Sequence, residues 1–464
     1  MLKGLLPNRS ILLSLINAAR GVLGGATISI LIANYFSQEL QGYYYTFLSV
    51  LGLQVFVEMG LGTVVLQFAS HEWANLRWVD GGITGDQESR ARLSSLALLS
   101  LRWYRTAALI SFIFLSICGY FFFTQKDDNG INWLGPWLTL VTFTALRFCM
   151  TPHLALLEGC GRQEQVYGYR LFEGLCAAMA TIVAIMENAG LWAVAFSAAI
   201  TQLCCFLYLK GAQRQFFREL VIASSAQRPI NWRYDLLPMQ WRIALSWMAG
   251  YFIFQLTTPL VFHYQGATTA GQVGMTLALT ASVNSLASIW LFTKVPAFGR
   301  LIAVRKWSEL DALAGDATRS AVIVALLGSL AGYGLLWALH HYQCSIATRF
   351  LSPDASIGFL IAVVFQQIIQ AEAYYLRSFK REPLLFSSIL CAIVTGLSTW
   401  MASAHAGPKA VGWAYCAATA FVGLPLSTWV FRRCRHAWQR EPAEPGDALA
   451  QTGKATPSLG VGRL

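Results

Sequence analysis

Twelve apolar runs of about twenty residues recur along the chain and constrain its fold more than any other feature. They fall at about 11–34, 43–69, 106–124, 134–157, 167–186, 190–209, 243–263, 270–292, 320–341, 355–376, 383–403 and 410–431. A helix rises about 1.5 Å per residue, so each run is long enough to cross a hydrocarbon core about 30 Å thick. Only 12% of the 464 residues are charged and 56% are hydrophobic, with a mean hydropathy of +0.50. Such values exclude an ordinary soluble domain. They predict an all-α polytopic membrane protein.

The net charge of +11 could suggest nucleic acid, but its distribution argues otherwise. Of the 34 lysines and arginines, 29 lie in the N-terminal segment, the tail and alternate loops, among them Arg90, Arg92, Arg102, Arg105, Arg214 and Arg242. The remaining loops hold only Lys126, Arg349 and Lys409, which leaves Arg20 and Arg147 inside runs. The positive-inside rule then places both termini in the cytoplasm with an even number of spans. The basic balance is a topology signal, and no nucleic-acid partner is expected.

Loops on the less basic side are short, whereas 70–105, 210–242 and 293–319 on the basic side are longer. No outer loop has room for a catalytic domain, so an enzyme is not expected and no catalytic residues are assigned. Most of the ten cysteines fall within runs, without Cys-x-x-Cys or His-Glu-x-x-His spacing. They read as apolar structural residues, with no metal or cofactor implied. Leu93, Leu96, Leu99 and Trp103 predict an amphipathic helix at the inner interface, after turns at Asp80-Gly81-Gly82 and Gly85-Asp86.

Loop 210–242 divides the runs into two sets of six. The expected organisation is an N-terminal lobe at 1–209, a cytoplasmic connector at 210–242, a C-terminal lobe at 243–431 and a disordered cytoplasmic tail at 432–464. Equal span number and like orientation imply parallel repeats related by a pseudo-two-fold along the membrane normal. Gln41-Gly42-Tyr43 and Ala270-Gly271-Gln272 begin equivalent helices in the two halves.

Polar residues inside the runs narrow the function. An arginine at the middle of a span costs about 2.5–3.5 kcal/mol on insertion scales, so it normally faces a bundle interior or a wet cavity. Arg20 shares a helix face with Asn17, Gly21 and Gly24. Further candidates are Gln54 and Glu58 in the second run, Thr144, Arg147 and Thr151 before Pro152 in the fourth, and Glu173 in the fifth. Tyr251, Gln255 and Thr258 precede Pro259 in the seventh, Thr276, Thr280, Asn284 and Ser288 form a stripe in the eighth, and Gln366, Gln370 and Glu372 lie in the tenth. Each also has a structural reading. The stripe can be a helix-packing surface, Arg20 and Glu58 a buried ion pair, and Glu173 and Glu372 carboxylates snorkelling to the inner interface. Recurrence of polar faces in both halves favours a hydrated cavity between two six-helix lobes.

Several motifs resemble the multidrug/oligosaccharidyl-lipid/polysaccharide exporter superfamily over about residues 10 to 435. They are Gly42-Tyr43-Tyr44-Tyr45, Glu58-Met59-Gly60-Leu61-Gly62, Leu156-Leu157-Glu158-Gly159-Cys160-Gly161-Arg162, Ser246-Trp247-Met248-Ala249-Gly250-Tyr251-Phe252, Ala270-Gly271-Gln272-Val273-Gly274 and Lys294-Val295-Pro296. The later motifs resemble its polysaccharide, O-antigen-type flippase branch. The resemblance implies a twelve-helix, two-lobed transporter with a V-shaped central cavity and alternating access. It also implies passage of a polyprenyl-pyrophosphate-linked oligosaccharide from the inner to the outer leaflet of the bacterial cytoplasmic membrane. Drug-exporting members commonly carry an acid in the first helix, where this chain has Arg20 and no Asp or Glu between Ile11 and Asn34.

The function expected is therefore a flippase for a lipid-linked anionic oligosaccharide in surface polysaccharide biosynthesis. Asn17, Arg20, Gln54, Glu58, Arg147, Gln255, Asn284, Gln366 and Gln370 are the substrate-binding candidates, and Glu58 and Glu173 the coupling candidates. Membrane lipids and a polysaccharide polymerase are the other candidate partners. The alternative is an ion-coupled exporter of small molecules from the same superfamily.

Overall fold

The computed structural model describes residues 9–79, 81–125, 130–221, 229–379 and 381–440. Among the described residues, ten helices are long and apolar enough to cross a membrane, and two bent pairs bring the total to twelve. The spans, in order, are Arg9–Tyr35; Gln38–Glu58 with Leu61–Trp73; Gln87–Thr124; Leu134–Gly159; Gln163–Met186; and Trp192–Gly211. The second half contributes Trp232–Phe254 with Thr257–Gln265, Ala267–Phe292, Trp307–His341, Pro353–Arg377, Leu385–His405 and Gly407–Arg440. The chain is a predominantly helical, multi-pass membrane protein of two six-helix lobes.

The packing repeats between halves. Span 1 packs on 5, 2 on 3 and 4, 3 on 4, 4 on 6, and 5 on 6; the same pairs recur as 7 on 11, 8 on 9 and 10, 9 on 10, 10 on 12, and 11 on 12. Span 2 meets its own equivalent, span 8, across the pseudo-two-fold. Their contact depends on glycine. A Cβ on Gly42 would lie 1.9 Å from the Ala267 carbonyl oxygen, and one on Gly274 would lie 2.4 Å from Tyr45 Cβ. Gln41 fixes the junction, donating from Nε2 to the carbonyls of Gly271 and Arg349, both at 2.9 Å.

The core divides along the membrane normal. At the end holding this junction, side chains of both lobes share one core, with Tyr43 and Phe123 packed on Phe262 at ring separations of 5.0 and 5.7 Å. At the other end, where Arg90, Arg162 and Arg435 lie, the core divides into one cluster around Leu93, Leu156 and Phe216, which also takes in Leu236 of span 7, and another around Leu310 and Tyr375. The lobes are joined through the core they share at the junction end. Along the seam of spans 2 and 7 contact continues farther, to Gly60, where a Cβ would approach Ile243 Cγ2 to 2.4 Å.

Local chemistry explains where the spans break. Span 2 bends by 49° at Met59 and Gly60, both left-handed at φ 49° and 65°. Span 7 bends by 42° just before Pro259, whose missing N–H cannot continue the backbone ladder. Span 4 instead runs on through Pro152 as one helix.

Other expectations need correction. The amphipathic segment at Leu93–Trp103 is not a separate interfacial helix. It is the beginning of span 3, a single helix of 38 residues capped by Asp86, whose carboxylate accepts from Ser89 N at 2.7 Å. The turns before it belong to a β-hairpin, Leu76–Val79 paired with Gly82–Gly85. The tail expected to be disordered from 432 is helical to Arg440, because Arg435 and Gln439 bond Asp311 of span 9. Residues 441–464 and Asp80 lie outside the described residues.

Candidate functional site: a polar cluster in each lobe

The N-terminal cluster is assembled from spans 1, 4 and 5. Arg147 of span 4 donates to the Tyr169 hydroxyl at 3.1 Å and from Nη2 to Glu173 Oε2 at 3.0 Å; the Tyr169 hydroxyl donates to Glu173 Oε1 at 2.5 Å. Glu173 is only 7% exposed, so the arginine and two hydrogen bonds compensate its charge. This corrects the snorkelling reading of Glu173. Tyr169 stands one turn before Glu173 on the same helix face and stacks on Tyr208 at 4.3 Å, which holds the pair in place.

Arg20 lies beside this triad but is not part of it. Its guanidinium sits against Gly174, where a Cβ would be 2.3 Å from Cζ, so a larger residue there would displace the guanidinium. Arg20 Nε is buried with no hydrogen-bond partner. Asn17, one turn earlier, spends its amide donating to the carbonyls of Leu13 and Tyr167, each at 3.1 Å. Asn17, Arg20, Arg170 and Glu173 line a pocket of about 520 Å³ between spans 1, 5 and 6. The Arg20–Glu58 ion pair does not form. Glu58 sits at the break of span 2 and accepts instead from the Tyr104 hydroxyl of span 3 at 3.4 Å.

The C-terminal cluster contains no charge. Gln367 is fully buried and donates to Asn284 Oδ1 at 2.7 Å, while Ser288 donates to Gln370 Oε1 at 2.8 Å and Gln370 donates to Asn284 Oδ1 at 3.3 Å. Gln366 turns the other way, to the Tyr415 hydroxyl at 2.6 Å. Gln255 is exposed at the bend of span 7 and rests over Gly52 of span 2, two residues before Gln54. Glu372 does not reach the interface: it is 8% exposed and accepts from Ser427 at 2.5 Å and Thr428 at 2.8 Å.

The structure therefore brings Asn17, Arg20, Arg147 and Glu173 together, and separately Asn284 with Gln370. Glu58, Gln54, Gln255 and Gln366 belong to neither group. Sequence reasoning missed Tyr169, Gly174 and Gln367. Tyr169 carried a signal, lying four residues before an intramembrane acid; Gly174 and Gln367 are defined only by what packs on them.

No family model matches the sequence, and no curated protein matches it significantly. Solved structures do match. An inward-facing multidrug-resistance MATE transporter of the MOP superfamily is similar with a TM-score of 0.66 at 11% identity, over 94% of this chain and 97% of that one. An outward-facing structure of a MATE transporter gives 0.55 at 12% identity, over 93% and 97%. The lipid II flippase MurJ in an inward closed conformation gives 0.60 at 11% identity, over 97% and 94%. The chain has the MOP-superfamily fold.

Proposed function

We propose that the protein is a flippase that moves a polyprenyl-pyrophosphate-linked anionic oligosaccharide across the bacterial cytoplasmic membrane by alternating access, for surface polysaccharide assembly. Arg20 carries the reading. Within the same lobe Arg147 is neutralised by Glu173, whereas Arg20 has a buried Nε without a partner and faces a pocket. A cation kept unpaired at membrane depth is costly unless a ligand supplies the counter-charge. A pyrophosphate or an acidic sugar would supply it, and reduced dielectric would strengthen the attraction. Asn284 and Gln370 in the other lobe offer amides suited to sugar hydroxyls. In this reading the arginine-rich end is cytoplasmic, so the joined end closes the outer side and the substrate enters from within.

Arg20→Ala should abolish surface polymer in the host while the protein still accumulates in the membrane. Normal polymer with Arg20→Ala would overturn the assignment.

One observation favours a second reading, an ion-coupled small-molecule exporter. Glu58 sits at a helix break inside the membrane with a single tyrosine partner, an arrangement suited to binding a proton or a cation. That reading expects Glu58→Gln to remove pH- or sodium-dependent drug efflux from vesicles, with surface polymer untouched.

A further inference from the structure

On the surface where span 3, span 2, span 7 and span 11 lie side by side, two grooves meet at Phe56. The first, of about 570 Å³, is lined by Met59, Arg102, Trp103, Thr106, Ile110 and Trp232. The second, of about 530 Å³, runs between spans 7 and 11 past Leu245, Phe252, Leu256, Ile393 and Trp400, and every lining side chain is apolar. Both open outward: Ile110, Leu245, Ile393 and Trp400 are among the exposed hydrophobic residues. They lie on the seam of spans 2 and 7, whereas Arg20 belongs to spans 1, 5 and 6.

The two grooves differ in chemistry. Arg102 is exposed, and among the described residues its guanidinium makes no ion pair or hydrogen bond. The same groove carries two indoles, Trp103 and Trp232, as expected where a membrane protein meets headgroups. Beyond Phe56, which packs on Tyr251 and Phe252 at 5.6 and 5.8 Å, no polar side chain lines the path. An unpaired cation at one end and a long apolar trough at the other match one amphiphile, a phosphate carried on hydrocarbon chains.

We infer that the seam of spans 2 and 7 is a binding site for an anionic phospholipid, with its headgroup phosphate at Arg102 and its acyl chains laid over Phe56 into the trough. Because Phe56 belongs to one lobe and spans 7 and 11 to the other, the lipid touches both lobes. It therefore binds the arrangement in which Gly60 meets Ile243 in preference to one in which that seam opens.

The test is native mass spectrometry of the full chain released from detergent with phosphatidylglycerol or phosphatidylethanolamine. One surface arginine should give roughly a fivefold preference for the anionic lipid. Arg102→Ala should remove that preference and Arg102→Lys retain it. Arg105→Ala, an exposed arginine outside the groove, should leave it unchanged and serves as the folding control. Ile393→Trp, which fills the trough, should reduce retention of both lipids. Equal retention of the two lipids by the unaltered chain would overturn the site, as would loss of preference in Arg105→Ala equal to that in Arg102→Ala. Displacement of phosphatidylglycerol by inorganic phosphate alone would also overturn it, since the chains would then contribute nothing.

Discussion

The two lobes repeat one helix-packing scheme but fill it with opposite chemistry. In the first, spans 4 and 5 are held by a charged triad, Arg147, Tyr169 and Glu173. In the second, spans 8 and 10 are held by neutral groups, Asn284, Ser288, Gln367 and Gln370. The difference is in what each can tolerate. A buried ion pair is stable only while both partners remain, because its desolvation cost is large and breaking it leaves a bare charge. An amide network loses one hydrogen bond at a time. The first cluster also has Arg20 beside it, whose buried Nε has no partner; in the proposed function an anion supplies its counter-charge.

The largest expected effect follows from that contrast. Glu173→Leu should destabilise the protein by about 3–5 kcal/mol, since it leaves the half-buried Arg147 without its counter-charge. Thermal unfolding in detergent would measure this. The double substitution Arg147→Met with Glu173→Leu should recover most of the loss, because the exposed charge is then gone as well. Failure of the double variant to recover would mean that the triad does more than balance its own charges, and would favour Glu173 as a coupling acid.

A smaller effect is expected in the neutral lobe. Gln367→Leu should cost about 1–3 kcal/mol by leaving the Asn284 oxygen with one fewer donor. A loss as large as that of Glu173→Leu would erase the distinction between the lobes. Ser288→Ala removes one hydrogen bond to Gln370 and should cost only about 1 kcal/mol by the same measurement.

Much of the architecture was legible from periodicity alone. Twelve apolar runs became twelve spans, and the glycines at 42 and 271 proved to lie where spans 2 and 8 meet. Hydropathy averages over a helix, so it could not show that span 2 breaks at Met59 or that span 3 begins twenty residues early as one continuous helix. The polar residues were legible as a set but not in their pairings. Arg20 and Glu58 were natural partners by charge, yet Glu58 turned to Tyr104, and Glu173, which lines the same pocket as Arg20, was already taken by Arg147. Which face a side chain presents is readable from a sequence. Which of several intramembrane partners it meets depends on how the helices cross.

Transport by purified protein in liposomes, with a labelled polyprenyl-pyrophosphate-linked anionic oligosaccharide in one leaflet, tests the central claim most directly. The unaltered chain should deliver the label to the opposite leaflet, and Arg20→Ala, though folded, should not. Equal delivery by both, or no delivery by the unaltered chain alongside ion-driven drug flux, would contradict the account.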